Sequence, residues 1–407
     1  MALIVQKYGG SSVADAKRIQ NVAQRIAQAK GKGDQVVAVV SAMGDTTDEL
    51  IELAYQISPQ PESRELDVLL STGEVISSTL LTMALHALNY PAISLSGAQA
   101  GIQTDTTYSQ ARIQRVESKR VARELEKGNI VIVAGFQGIT SEMDITTLGR
   151  GGSDTTAVAL ATSLKAETCQ LYTDVDGVYT ADPRLVPEAH QVTEIGYEEM
   201  LELATHGARV VHPRAVELGE LFNIPILVAS SFTQNPGTLI HGGVSMEVRN
   251  RVRSIVHDLN VAKITVVGVP DQPGIAAAIF EPLARDGISV DTIVQNASIN
   301  NITDLTFTIA QSQLAPAMSL VEPIAKSIGA RECVSDAKLG KISIIGTGMQ
   351  NTPGYAARMF GTLSEKGINI QLITTSEIRI TCIISEDSVK AALGALHRTF
   401  ELEKEAD

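Results

Sequence analysis

Two periodicities divide the chain. Through about residue 240, short β-branched apolar runs alternate with amphipathic stretches. The runs Ala2–Gln6, Gln35–Val40, Ala92–Ser96, Ile130–Ala134, Cys169–Thr173 and Pro225–Val228 predict strands. Segments such as Ala14–Lys30, Asp67–Leu88 and Asp154–Lys165 predict the helices between them. Near-continuous apolar strands suit a sheet buried on both faces, with helical crossovers covering it. The expectation is an α/β domain with a largely parallel central sheet sandwiched by helices. The turn-rich stretch Asn235–Ser245 is expected to close it, and Arg249, Arg251 and Arg253 to form a solvated basic connector.

Beyond the connector the pattern repeats. Val269–Phe280 matches Met349–Phe360 at a constant offset of 80, and the coincidences continue through Leu283/Leu363, Gly287/Gly367, Ile288/Ile368 and Ile293/Ile373. Each copy carries a preceding strand-like run, a Pro-Gly turn (Pro273-Gly274, Pro353-Gly354), and apolar positions such as 276, 279, 280 and 283 at helical spacing. Two more strands follow in each, the second at Asp304–Ala310 and Glu377–Ile384. Each unit reads as a small βαββαβ, ferredoxin-like module. The expected boundaries are 1–245, 246–333 and 334–407.

Composition narrows the function. A chain of 407 residues suits two or three domains. With 33 basic and 46 acidic residues its net charge is −13, which argues against nucleic acid or an acidic membrane surface as partner. No apolar stretch approaches the ~20 residues of a membrane span. Lys7 follows rather than precedes the short run Ala2–Val5, unlike a signal peptide. A cytoplasmic protein is expected. Cys169, Cys333 and Cys382 are too scattered for a disulfide framework or a zinc cluster.

Three segments carry candidate chemistry. Lys7-Tyr8-Gly9-Gly10-Ser11-Ser12 leaves the first strand for a helix. It is either a plain turn or a cradle in which bare amides and a lysine meet an anion. Leu148-Gly149-Arg150-Gly151-Gly152-Ser153-Asp154 opens another helix, with Ser153 or Asp154 as the expected N-cap. It is a capping loop or a grip in which Arg150 takes a carboxylate or phosphate through paired hydrogen bonds. Tyr172–Arg184 holds Asp174, Asp176 and Asp182; it is a solvated acidic turn or a holder of ribose hydroxyls and metal-bound phosphates, and its spacing is not an EF-hand. No Gly-x-x-x-x-Gly-Lys-Ser/Thr occurs, and no Gly-x-Gly-x-x-Gly follows the first strand. The seven histidines show no metal-ligand spacing and read as core or surface residues.

Lys7–Ser12, Val40–Thr47, Ser71-Thr-Gly-Glu74, Thr147–Asp154 and Tyr172–Arg184 together resemble the aspartate kinases, in order and over nearly the whole chain. Ser12 departs from the commoner threonine but keeps the hydroxyl. The repeated modules resemble a pair of ACT domains, and the resemblance implies that the second is inserted within the first, with residues 385–407 returning to complete it. It also implies ATP-dependent phosphorylation of the aspartate β-carboxylate, the first step toward lysine, threonine and methionine. Lys7 and Asp154 would be catalytic. Lys7, Tyr8, Gly9, Gly10, Thr173, Asp174, Tyr179, Thr180, Asp182, Pro183 and Arg184 would bind ATP, with Mg2+ carried by the nucleotide and no protein metal site. Ser41, Thr47, Glu74, Arg150, Gly151, Gly152 and Ser153 would hold aspartate, Glu74 on its ammonium and Arg150 on a carboxylate. Lysine, threonine or both would act as inhibitors through Asp271, Gly274, Ile275, Gln295, Asn296, Gly354, Asn369 and Ile370. A homo-oligomer joined through the ACT modules is implied, or a mixed assembly with a shorter subunit started at Met246. The rivals are a related kinase of another carboxylic acid and a catalytically inactive amino-acid sensor.

Overall fold

A computed structural model describes residues 2–208, 210–243, 252–296, 301–349 and 352–404. Met246, Arg249, Arg251 and the Gln350-Asn351 step of the repeat lie outside the described residues. The chain forms two compact units. The first runs through Tyr179 and resumes at Gln191; the second takes Thr180–His190 and the C-terminal portion.

The first unit runs β1 (Leu3–Tyr8), α1 (Ala16–Gly31), β2 (Gln35–Val40), α2 (Thr46–Ile57), α3 (Ser63–Ala87), β3 (Ala92–Leu95), β4 (Ile102–Thr104), β5 (Ile113–Val116), α4 (Lys119–Glu126), β6 (Ile130–Ala134), β7 (Gln137–Ile139), β8 (Ile145–Thr147), α5 (Gly152–Leu164), β9 (Thr168–Thr173), β10 (Glu194–Ile195), α6 (Tyr197–His206), α7 (Pro213–Phe222), β11 (Ile226–Ser230) and β12 (Thr238–Ile240). Eight strands form one sheet in the order β10-β12-β11-β9-β1-β2-β6-β3. Every pairing is parallel except β11 with β12. The central strands β2 and β6 are almost wholly buried, which is why their sequences run apolar without alternation. Asp15 caps α1 by accepting from the Arg18 N–H, and Ile19, Val22, Ala23 and Ile26 bury one face at helical spacing.

Several expectations change here. Four short strands build a separate sheet, β5-β4-β7-β8, that the apolar pattern does not announce. The turn-rich Asn235–Ser245 stretch contains β12. Helix α5 starts at Gly152, and its N-cap is Gly151 at φ 70° rather than Ser153 or Asp154. By length and composition α3 is apolar enough to cross a membrane, contrary to the sequence reading, yet half of its most apolar window is buried within this unit. Asp67 and Glu74 lie on its buried face.

The second unit runs β13 (Ser254–Asp258), β14 (Ala262–Pro270), α8 (Ile275–Arg285), β15 (Val290–Gln295), β16 (Ile302–Ile309), α9 (Leu314–Ser327), β17 (Glu332–Asp336), β18 (Leu339–Ile345), α10 (Tyr355–Glu365), β19 (Leu372–Thr375), β20 (Arg379–Ser385) and α11 (Val389–Thr399). β14 through β17 form a complete βαββαβ module with sheet order β15-β16-β14-β17. Ile279 and Leu283 are buried on its α8, and Phe280 meets Phe307 edge-to-face at 5.2 Å; Ala276 stays exposed.

The second module has no closing strand of its own. β13, which precedes the first module, fills that place in the order β13-β18-β20-β19. The nesting is therefore the reverse of the expected one: the first module is inserted within the second. The segment from 385 onward does not complete the first module. Leu393, Leu396 and Phe400 instead share a core with Ile255, Ile342, Met359 and Leu363. Arg253 is buried rather than solvated, and its N–H donates to the Ile345 carbonyl beside β13. Ala181 and Val186 pack into the same core, which draws Thr180–His190 into this unit.

Candidate active site

The central parallel strands of the large sheet end together. Tyr8 is level with Val40 and Tyr172, and Val40 with Ala134. Crevices outside the carboxyl ends of such strands are where this architecture binds ligands.

Lys7 stands at that edge, its Nζ 2.7 Å from Asp154 Oδ1, with both side chains mostly shielded. Asp154 lies in the first turn of α5, so the pair ties the first glycine turn to the second. Gly10 has no room for a side chain: a Cβ would sit 3.0 Å from the Ala42 carbonyl oxygen and 3.1 Å from that of Gly44. The Gly44 N–H donates to Gly10 O at 3.2 Å, fixing the turn against the loop after β2. The Tyr8 ring is fully buried and stacked on Tyr172 at 5.1 Å, so its side chain belongs to the core.

Helix α3 supplies the opposite wall. Glu74 is 3% exposed; Oε1 accepts from the Ala42 N–H at 3.1 Å, and Oε2 has no hydrogen-bond partner among the described residues. Burial pushes its carboxyl up to about 7. A buried carboxylate oxygen without a donor calls for a cationic ligand. Ser77 donates to the Ser41 carbonyl at 2.7 Å, and Ser41 Oγ donates to Ser153 Oγ at 3.0 Å. Thr47 lies half-buried in the first turn of α2. The loop leading to it packs so closely on Gly73 that a Cβ there would reach 2.8 Å from Ala42 Cβ.

In the second glycine turn, Gly149 and Gly151 adopt φ of 76° and 70°. A side chain at Gly151 would strike the His212 ring at 2.2 Å. Arg150 between them is exposed, while Gly152 and Ser153 are buried at the start of α5, which has no side-chain cap. The first unit thus brings Lys7, Asp154, Ser41, Ser153, Glu74 and the two glycine turns to one edge.

The acidic segment divides. Thr173 and Asp174 sit at the end of β9, with Thr173 Oγ1 donating to Asp174 at 3.1 Å, and Tyr179 bridges to Gln191. Thr180, expected on the same nucleotide loop, is buried in the second unit with its hydroxyl 2.9 Å from His397 Nε2. Asp182 is paired with Arg184 at 2.8 and 3.0 Å, beside exposed Pro183, also in the second unit.

Sequence reasoning missed several residues here. Arg25 lies over the Tyr172 ring at 4.7 Å and donates to Thr233 O at 2.7 Å. Thr233 donates to Asp176 at 2.6 Å, and Ser12 to Ser231 at 2.8 Å. The polar run Ser230-Ser231 directly after an apolar strand was the available signal. His212 N-caps α7 ahead of Pro213 at its first position, a helix start signal present in the sequence.

In the second unit, Gly274 (φ 94°) and Gly354 (φ 108°) N-cap α8 and α10 without a side-chain cap, and both are exposed. Asp271 N–H pairs with Asn301 O, and Asn296 O accepts from Thr303, so both segments attach to the start of β16. Gln295 is exposed, Ile275 is half-buried at the head of α8, and Asn369 and Ile370 lie just before β19.

Residues 2–230 match the amino acid kinase family, and residues 264–322 and 342–400 each match an ACT domain. An aspartate kinase of Pseudomonas putida is 47% identical over 407 residues, covering 100% of this chain and 99% of that protein. An aspartokinase of Thermus thermophilus is 48% identical over 406 residues, covering 99% and 100%. The crystal structure of E. coli aspartokinase III in complex with lysine and aspartate (T-state) aligns with a TM-score of 0.76 at 25% identity, covering 98% of this chain and 99% of that one.

Proposed function

The chain belongs to the aspartokinase family, and from that premise we propose that it transfers the γ-phosphoryl group of ATP to the β-carboxylate of L-aspartate, giving 4-phospho-L-aspartate. One observation supports this most: a lysine–aspartate pair joins two glycine-rich turns at the strand ends, with the unpartnered oxygen of Glu74 on the adjoining wall. The acceptor carboxylate, with a pKa near ~4, is already ionised at neutral pH, so no general base is needed. What the protein must supply is alignment and neutralisation of charge between two anions. In this reading Lys7, oriented by Asp154, neutralises the phosphoryl group in flight, helped by the Gly9-Gly10 backbone. Glu74 takes the substrate ammonium, Arg150 a carboxylate, and Ser41, Thr47, Gly151, Gly152 and Ser153 line the acceptor pocket. Tyr8 contributes through its backbone, and Thr173, Asp174 and Tyr179 hold the nucleotide. Magnesium enters on the nucleotide's phosphates. The nucleotide reading is drawn on these first-unit residues, and the Thr180 hydroxyl is engaged by His397.

We further read the second unit as an amino-acid sensor for lysine, threonine or both. Each Pro-Gly turn presents a helix N-terminus suited to an α-carboxylate, with Asp271 available for an ammonium. Ile293 and Ile373, equivalent in the repeat, are exposed on the edge strands β15 and β19. That supports assembly of a homo-oligomer through these modules. The test is aspartate-dependent ADP release, repeated with lysine, threonine and both. Absence of aspartate-dependent turnover would sink the kinase reading; indifference to both amino acids would sink the sensing one.

A further inference from the structure

The interior face of α3 carries one charge that the catalytic reading leaves unused. Asp67 is fully buried. Its carboxylate accepts five hydrogen bonds: from the Ser109 N–H to both oxygens (3.0 and 2.9 Å), the Ser109 hydroxyl (3.3 Å), the Thr147 N–H (2.8 Å) and the Thr147 hydroxyl (2.7 Å). The four donors behind these five contacts are neutral main-chain or hydroxyl groups, which is how a buried carboxylate is accommodated without a cation. From α7, Arg214 reaches the same place. Its Nη1 donates to Leu148 O at 2.7 Å and its Nη2 to Ala111 O at 3.0 Å.

Both side chains join the same two segments: the loop between β4 and β5, and the end of β8 that leads into Gly149-Arg150-Gly151. The join is tight. Ala111 N–H donates to Thr147 O at 2.9 Å, and a Cβ on Gly149 would lie 3.1 Å from Ser109 O. On the far side of Arg150, Gly151 rests against His212, whose Nδ1 accepts from the Arg214 N–H at 3.3 Å. Arg150 therefore stands on a three-residue arch of two left-handed glycines, which have no side chains to hold them in place.

We propose that Asp67 and Arg214 are positioning residues that fix the feet of this arch and so set the aim of Arg150 at the acceptor's carboxylate; the proposal rests on the substrate role given to Arg150 above. Asp67→Asn keeps the volume but turns an amide donor toward converging donors. It should raise KM for aspartate about tenfold or more, lower kcat less, and leave KM for ATP within about twofold. Thr147→Val, which removes one of the five bonds, and Arg214→Lys, which can serve one carbonyl but not both, should shift aspartate KM the same way by less. A merely structural loss would reduce the active fraction, lowering kcat and moving neither KM.

A double-substitution cycle decides the matter. Arg150→Ala alone should raise aspartate KM, and Asp67→Asn or Thr147→Val should add little in that background. Full additivity, or an unmoved aspartate KM in Asp67→Asn, Thr147→Val and Arg214→Lys alike, would overturn the proposal while leaving the kinase reading intact. An unmoved aspartate KM in Arg150→Ala would remove the substrate role of Arg150 and this proposal with it. If Asp67→Asn does not fold, Thr147→Val and Arg214→Lys carry the cycle alone.

Discussion

Glu74→Gln should make the enzyme more stable and a poorer binder of its acceptor, with an effect on stability that depends on pH. Burial raises the Glu74 carboxyl from an ordinary 4.5 to about 7. The folded state therefore holds a proton between those values that the unfolded chain has released. Stability falls as pH rises through this window, by about 3 kcal/mol at 1.36 kcal/mol per pH unit. Glutamine carries no such penalty, although its amide would leave donors without acceptors at a cost of about 1 kcal/mol at every pH. The two proteins should thus be nearly matched near pH 5. Glu74→Gln should then gain about 2 kcal/mol by pH 8, which at 2–4 °C per kcal/mol is roughly 4–8 °C in Tm. The same change removes the anion proposed to meet the substrate ammonium, an interaction of about 1.5–3 kcal/mol, so aspartate KM should rise about 10- to 150-fold. Calorimetry of both proteins across pH 5–8, with and without aspartate, reads both effects. Parallel pH profiles would refute the buried-charge argument, and an unmoved KM would refute the ammonium assignment.

Lys7→Ala should lower kcat by roughly 10²–10³ with the far-UV circular dichroism of the folded protein retained and Tm lowered, because Asp154 loses its partner; full turnover would remove Lys7 from the mechanism. Gly151→Ala places a Cβ 2.2 Å from the His212 ring on a backbone at φ 70°, and should cost about 2 kcal/mol or more in urea unfolding; a loss under about 0.5 kcal/mol would contradict that packing. Thr180→Val should cost about 1 kcal/mol by leaving His397 without its buried partner, with KM for ATP unchanged; a raised KM for ATP would put Thr180 back in the nucleotide site. Asp271→Ala should abolish any rise in Tm produced by lysine or threonine, and an undiminished rise would move the effector site elsewhere.

Strands β2 and β6 were legible because a strand buried on both faces has no polar position to blur it. The 80-residue repeat was legible because two copies must solve the same packing problem around Leu283 and Leu363. The two glycine turns were legible as turns between a strand and a helix, because glycine runs interrupt the apolar pattern there; that Lys7 of one meets Asp154 of the other needed the fold. The buried face of α3 was not. Asp67, Ser71, Glu74 and Ser77 are buried on it, and hydrophobic periodicity assigns such residues to solvent. Asp67, Glu74 and Ser77 find their partners in loops outside the helix, at Ser109, Thr147, Ala42 and Ser41. The nesting of the modules was also hidden, because β13 finds its partner β18 across the whole of the intervening module, and no local pattern encodes a pairing at that separation. The Thr180–His190 strap went unread for the same reason: Ala181 and Val186 look like loop residues until the core they enter is known.

The most direct test of the central claim is trapping of the acyl phosphate with hydroxylamine in the presence of ATP and magnesium. The account predicts β-aspartyl hydroxamate, formed one for one with ADP when L-aspartate is supplied, with little or none from glutamate, N-acetylglutamate or carbamate. Hydroxamate formed equally from glutamate, or ADP released with no hydroxamate from aspartate, would contradict it.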